Sequence, residues 1–256
     1  MLVKVALILQ IFIYFAVAFH LSSQGEVVCL SQSSMAVSMQ ASSGTTESKK
    51  RVVICGATGY IGKYVVQESV RRGHDTIALV RPGSSTSGNN YLKGATIVYS
   101  DVADEQNLKD TVFKDKVDVV VSCLASRSGF KEDSYKIDYQ ATKNSLNAGI
   151  HGKADLFILL SAFCVRKPLL HFQKAKLKLE ELLVDAQKTG KIPKYSIVRP
   201  TAFFKSVSGQ FELLQQGWPF VMFGNGEIRK CNPIAESDLA TYMLDCADKP
   251  ERWNKV

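Results

Sequence analysis

The chain has 256 residues, 46% of them apolar and 22% charged, with a formal net charge of +8. Without an N-terminal extension that length fits one α/β domain with a large core. The basic residues are scattered, as in Lys174-Ala175-Lys176-Leu177-Lys178, and no DNA- or RNA-binding motif accompanies them, so the charge points to a solvated surface and an anionic cofactor rather than nucleic acid.

Residues 1–50 read as a presequence. Lys4 precedes an apolar run from Val5 to Phe19 that ends among small residues, the pattern of a signal peptide over residues 1–18. The run is short for a membrane span, which needs about 20 apolar residues. Residues 19–50 are rich in Ser, Ala, Gln and Thr and poor in acids, a composition that cannot form a core and is similar to a transit peptide. The two together resemble the bipartite presequence of algae with secondary plastids, with Phe19 just after the cleavage point; ordinary secretion is the alternative.

From Arg51 onward strand and helix patterns alternate. Strands are expected at Val52–Cys55, Thr76–Val80, Thr96–Tyr99, Val117–Cys123, Leu156–Leu160 and Tyr195–Val198. Helices are expected at Tyr60–Arg72, Glu105–Phe113, Tyr135–Ala148 and Lys167–Ala186. This alternation predicts a doubly wound parallel sheet with its ligand crevice at the carboxyl ends of the strands. The expected division is a nucleotide-binding domain over 51–206 and the start of a smaller substrate lobe over 207–256. The chain ends at Trp253-Asn254-Lys255-Val256 as a new strand begins, which suggests a truncated lobe.

The first strand runs into Gly56-Ala57-Thr58-Gly59-Tyr60-Ile61-Gly62, a G-x-x-G-x-x-G variant of the dinucleotide fingerprint. Gly56 suits the tight turn, Gly59 a close backbone approach to a pyrophosphate, and Gly62 helix–strand packing. Thr58, Tyr60 and Ile61 belong to the same cradle, and Leu124 and Ala125 follow the fourth strand at the same edge. The second strand ends in Arg81 with no acid beside it, so a 2′-phosphate, and hence NADPH, is expected there; a solvated arginine is the alternative. Asp101 is placed to meet the adenine edge or to cap the next helix. The cysteines, at 29, 55, 123, 164, 231 and 246, form no CxxC pair, which argues against zinc, a redox dithiol or an iron–sulfur cluster. Cys55 and Cys123 read as small buried hydrophobes.

Short-chain dehydrogenases carry Tyr-x-x-x-Lys on the helix after the fifth strand, with an upstream Ser. Here Ser161 and Lys176 hold two of those places, but the tyrosine position is Phe172. A phenyl ring donates no proton, so ordinary ketone chemistry is not expected. Reduction of a conjugated C=C bond remains open, with Lys176, Ser161 or a water delivering the proton; a surface position for Lys176 is the alternative.

Further stretches carry a resemblance. They are Val119–Arg127, Lys136–Ser145, Lys167–Leu170, Ser196–Ser206, Val221–Gly224 and Pro233–Leu239, of which Arg199-Pro200-Thr201-Ala202-Phe203-Phe204-Lys205-Ser206 is the most specific. The chain from Arg51 resembles the NADPH-dependent divinyl chlorophyllide 8-vinyl reductase family, atypical short-chain dehydrogenases of plant and algal plastids. The resemblance implies reduction of the 8-vinyl group of divinyl chlorophyllide or protochlorophyllide, in a plastid, with peripheral contact to a thylakoid or envelope membrane. It implies Pro200 and Thr201 at the nicotinamide, Asn144 on the helix after the fourth strand, Phe203 and Phe204 stacking on the macrocycle or packing beneath the lobe, and Lys205 or Arg166 pairing with the pigment's propionate. Another atypical reductase, isoflavone-reductase-like, and a non-catalytic NADPH-binding plastid protein are the rival classes.

Overall fold

A computed structural model describes residues 49–86, 88–219 and 232–256. The expected presequence, apart from its last two residues, lies outside them, as do Val221–Gly224, Cys29 and Cys231. Six strands form one all-parallel sheet: β1 (Arg51–Cys55), β2 (Asp75–Val80), β3 (Thr96–Tyr99), β4 (Val119–Ser122), β5 (Leu156–Leu160) and β6 (Lys194–Val198), in the order β3-β2-β1-β4-β5-β6. The order reverses between β1 and β4, the switch point at which a doubly wound sheet opens its crevice.

Every residue of β4 and β5 is buried, because both faces of the sheet are covered. Alternation along β1 divides the core: Val52 and Ile54 face one cluster, Val53 and Cys55 the other. The first cluster is closed by Val65 and Val66 of α1 (Gly62–Arg71) and by Leu239 and Met243 of α6 (Glu236–Asp248). The second is closed by Leu108 of α2 (Glu105–Thr111), Leu146 of α3 (Thr142–His151), and Leu179 and Leu183 of α4 (His171–Lys188). One further helix, α5 (Phe204–Gln215), follows β6.

Two differences from the sequence expectation have physical causes. The helix expected from Lys167 begins at His171, because Pro168 sits outside it and the Gln173 side chain accepts the N–H groups of Leu169 (2.7 Å) and Leu170 (2.9 Å) at its start. The helix expected at Tyr135–Ala148 is two pieces: Ser134–Ala141 is π-helical and only then does α3 follow. Its buried polar residues Ser134, Asp138 and Thr142 recur every four positions, a spacing that the wider π turn keeps on one face. At the far end, Lys255 forms one parallel bridge to Ser196 of β6, and the Asn254 N–H donates to the Tyr195 carbonyl at 2.7 Å.

Helix α6, beyond the expected boundary at 206, joins the sheet core and is locked to α1 by charge. Arg72 donates to Glu68 at 2.8 Å, to Asp245 at 2.9 Å and to Asp248 at 2.9 Å. Lys50 adds a 2.7 Å contact to the Asp248 carboxylate, whose side chain is 1% exposed. Burial pushes the Asp248 carboxyl up, but hydrogen bonds from His74, Lys50 and Arg72 outweigh it and hold the group well below the usual carboxylate range. The folded value therefore lies below the unfolded one, and the lock contributes fully above about pH 4 and is lost as pH falls through and below that range. Asp248→Asn is expected to lower stability at pH 7 by about 3 kcal/mol, with the difference from the parent shrinking below about pH 4; urea titrations across pH test this, and a constant difference would contradict it.

Candidate functional site

The turn after β1 is built on a close approach that only glycine permits. Gly56 has φ +80°, and the Gly59 N–H donates to the Gly56 carbonyl at 2.9 Å. A Cβ on Gly62 would lie 2.0 Å from that same carbonyl oxygen, and one on Gly56 would meet the Cys123 carbonyl at 3.0 Å. The helix N-terminus is thereby drawn onto the strand end. Ile61 at the N-cap gives no side-chain cap, and the N–H groups of Thr58, Tyr60, Ile61 and Gly62 make no backbone hydrogen bond among the described residues. This set of unspent donors at the positive end of a helix fits a pyrophosphate. Ile61 contributes through its backbone, its side chain being buried in the core.

The edge of the crevice beside β2 is set by the end of that strand. Arg81 is exposed and forms no ion pair among the described residues. Its carbonyl accepts the Ser84 N–H at 3.1 Å across Pro82-Gly83, with Gly83 at φ +79°, a type II turn. Asp101 does not cap the next helix: it accepts the Ala103 N–H at 2.9 Å, while Asp104, accepting from Asn107 at 3.0 Å, is the cap of α2.

At the ends of β4 and β5 the structure gives Lys176 a defined setting. It is 7% exposed, which overturns the surface alternative. Its ammonium lies 3.2 Å from each of the Leu124 carbonyl, the Leu160 carbonyl and the Asp138 carboxylate. Two of its N–H donors go to the carbonyls, and the carboxylate is its counter-charge. Lys176 thus ties the ends of β4 and β5 to the π-helical stretch. Asp138 is 1% exposed and escaped the sequence reading; the four-residue spacing of Ser134, Asp138 and Thr142 was its only signal. Asn144, on the helix after β4 as expected, donates to the Val102 and Ala103 carbonyls at 3.1 and 3.0 Å and anchors α3 to the loop after β3. Ser161 is buried, its N–H held by the Val198 carbonyl at 2.8 Å, and its hydroxyl has no partner among the described residues. Phe172 is buried on α4 one turn before Lys176. Burial pushes the Cys55 thiol up to about 11 and the Cys123 thiol up to about 12, so neither is a nucleophile near neutrality.

The residues after β6 diverge. Arg199 is paired with Glu180 of α4, the Pro200 carbonyl accepts the Phe163 N–H at 2.9 Å, and the Thr201 hydroxyl donates to the Asn232 carbonyl at 2.6 Å. Phe203 packs against the first core cluster and meets Tyr60 edge-on, ring centres 5.8 Å apart, so it is not a free stacking face. Phe204 is 53% exposed. Lys205 holds its ammonium 4.7 Å above the Tyr60 ring. Arg166 is exposed beside Phe163 and borders a cavity of about 770 Å³ at β6, together with Arg199, Thr201 and Tyr242; Phe203, Phe204 and Lys205 do not line it. Among the described residues no cluster of His, Cys, Asp or Glu has the makings of a metal site.

Comparison with known proteins agrees with this architecture. The chain is 50% identical over 216 residues to the chloroplastic divinyl chlorophyllide a 8-vinyl-reductase of Cucumis sativus, an alignment covering 80% of this chain and 51% of that protein. The chain therefore spans about half the length of that relative. An isoflavone reductase homologue of Nicotiana tabacum is 28% identical, over 81% of this chain and 67% of its own. Among solved structures, an epimerase of Methanothermobacter thermautotrophicus superposes with a TM-score of 0.66 at 16% identity, covering 82% of this chain and 71% of that one, a likeness of fold. A family profile described as NAD(P)H-binding matches residues 56–250, which contain the whole glycine turn and the sheet beyond β1: the chain belongs to the NAD(P)H-binding family.

Proposed function

We propose that this chain reduces the 8-vinyl group of divinyl chlorophyllide or protochlorophyllide to ethyl with NADPH, as a plastid enzyme of chlorophyll synthesis. The observation that carries the reading is 50% identity to a protein named for that activity, against 28% for the isoflavone reductase homologue. The glycine cradle supports it, because a Cβ would fill the space that the pyrophosphate-facing backbone needs.

Bound NADPH supplies the hydride. In this reading the N–H groups of Thr58, Tyr60, Ile61 and Gly62 bind the pyrophosphate and Arg81 takes the 2′-phosphate, with Asp101 at the adenine edge. Leu124, Ala125, Pro200 and Thr201 bound the nicotinamide. Lys176, held by the Leu124 and Leu160 carbonyls and the Asp138 carboxylate, orients the crevice floor and fixes a positive charge beneath it. Phe172 holds no proton, so the Ser161 hydroxyl, the Lys176 ammonium or a water holds or passes one. The exposed face of Phe204 offers a surface for a flat macrocycle, with Lys205 or Arg166 for its propionate; Phe203 supports them from beneath. Exposed Phe211, Leu214 and Trp218 in and after α5 support peripheral membrane contact. Residues 1–18 and 19–50 would act as signal and transit segments toward a secondary plastid, ahead of a nucleotide domain over 51–206 and substrate-lobe residues over 207–256.

The chain from about Ser48, incubated with NADPH and divinyl chlorophyllide, is expected to shift the pigment's Soret band to the blue in an NADPH-dependent manner. No shift, with NADPH bound, would reject the reading. Gly62→Ala is expected to cost about 1–3 kcal/mol in urea unfolding and to abolish NADPH binding, read from nicotinamide fluorescence. Lys176→Met, which leaves Asp138 buried and unpaired, is expected to lose about 3 kcal/mol, and Lys176→Met with Asp138→Leu to recover most of it; a fully stable single variant would rule out the cross-link.

A further inference from the structure

The adenosine side of the crevice holds a second cation that the glycine turn and Arg81 do not account for. Lys63 is the residue after Gly62, in the first turn of α1, and it is half-buried. Its ammonium lies 4.5 Å from the centre of the Tyr91 ring and 5.1 Å from that of Tyr64. Those two rings are themselves in contact, with centres 5.8 Å apart. Lys63 forms no ion pair with a carboxylate among the described residues, and neither does Arg81.

Tyr91 belongs to the segment that starts at Arg81. After the Pro82-Gly83 turn the chain returns to α1, where Asn89 accepts the Tyr91 N–H at 3.2 Å and Leu92 is buried in the first core cluster. The segment therefore leaves the sheet at Arg81 and is pinned to α1 at Tyr91, beside Lys63. The aromatic faces hold the lysine stem toward this loop and leave the ammonium its hydrogen-bond donors. Lys63 opens the helix that follows β1, and Arg81 ends β2, the strand paired with β1 through Cys55 and Leu79, so the two cations flank one edge of the crevice and match a ligand group carrying close to two negative charges. A phosphomonoester has that charge near neutrality; a ribose hydroxyl has none.

We infer that Lys63 is a specificity-determining residue for the cofactor, clamping the 2′-phosphate of NADPH from α1 while Arg81 clamps it from β2. The inference rests on the proposed NADPH reading. Arg81 alone would leave the phosphate charge half-neutralised, and Lys63 supplies the rest without a carboxylate that must first be displaced.

Binding alone tests it. Dissociation constants for NADPH and NADH are measured by nicotinamide fluorescence on the whole chain, its Lys63→Gln and Arg81→Gln variants, and the double variant, with thermal melts to check folding. Competition by 2′,5′-ADP against 5′-AMP isolates the phosphate. Lys63→Gln is expected to weaken NADPH and 2′,5′-ADP about tenfold and to leave NADH and 5′-AMP within about twofold, one charge-assisted hydrogen bond being worth that much. The double variant is expected to bind the two cofactors alike. If Lys63→Gln keeps the parent's preference while Arg81→Gln loses it, the Lys63 assignment is overturned and the NADPH reading stands. Equal weakening of both cofactors would move Lys63 to the pyrophosphate and overturn it as well. A parent chain that binds NADH as tightly as NADPH would refute the reading and the inference together.

Discussion

The contact on which the nucleotide cradle depends is the one between Gly62 and the Gly56 carbonyl, where no side-chain carbon fits. It brings the first turn of α1 against the end of β1 and leaves a row of backbone N–H groups facing the crevice. Everything on the adenosine side is measured from that point: Lys63 is one residue along the helix, and the loop from Arg81 is pinned to it through Tyr91. A displaced helix would move the anion donors and Lys63 away from Arg81, which stays on β2, so the glycine contact sets charge geometry as well as packing.

The opposite side of the crevice is organised by charge. Lys176 joins three segments distant in sequence, at Leu124, Asp138 and Leu160, through one ammonium. Arg199 and Glu180 repeat the device one turn further along α4, fixing the end of β6. These buried pairs lie beside Phe172, where the tyrosine of a ketone-reducing dehydrogenase would stand. Here the lysine has an anionic neighbour in place of a phenolic one. Its charge shapes the crevice while the proton-transfer group of that chemistry is missing, which is compatible with a hydride acceptor that spreads its own charge.

Strand β5 was legible because a doubly covered parallel strand demands a near-continuous apolar run, and it begins and ends where that run places it; β3 keeps its expected bounds although it is largely exposed. The glycine turn was legible because each glycine answers a steric need. The π-helical stretch was not, since one helical periodicity resembles another over two turns and the pairing of Asp138 is with a lysine 38 positions away. The separate fates of Phe203 and Phe204 were equally hidden, because a pair of adjacent aromatics does not say which ring faces the core. Nor did local pattern reveal that Asp245 and Asp248, in a stretch expected to begin another lobe, would pair with the end of the first helix.

That last pairing has a consequence for how the molecule forms. The contact from Arg72 to Asp248 spans 176 positions, so during synthesis α1 waits for almost the entire domain before its acidic partners exist. Closing so long a loop is entropically late, and the lock belongs with the interactions that consolidate after the main barrier is crossed. Its strength then governs how slowly the finished domain comes apart, and the pace of assembly is left to the sheet.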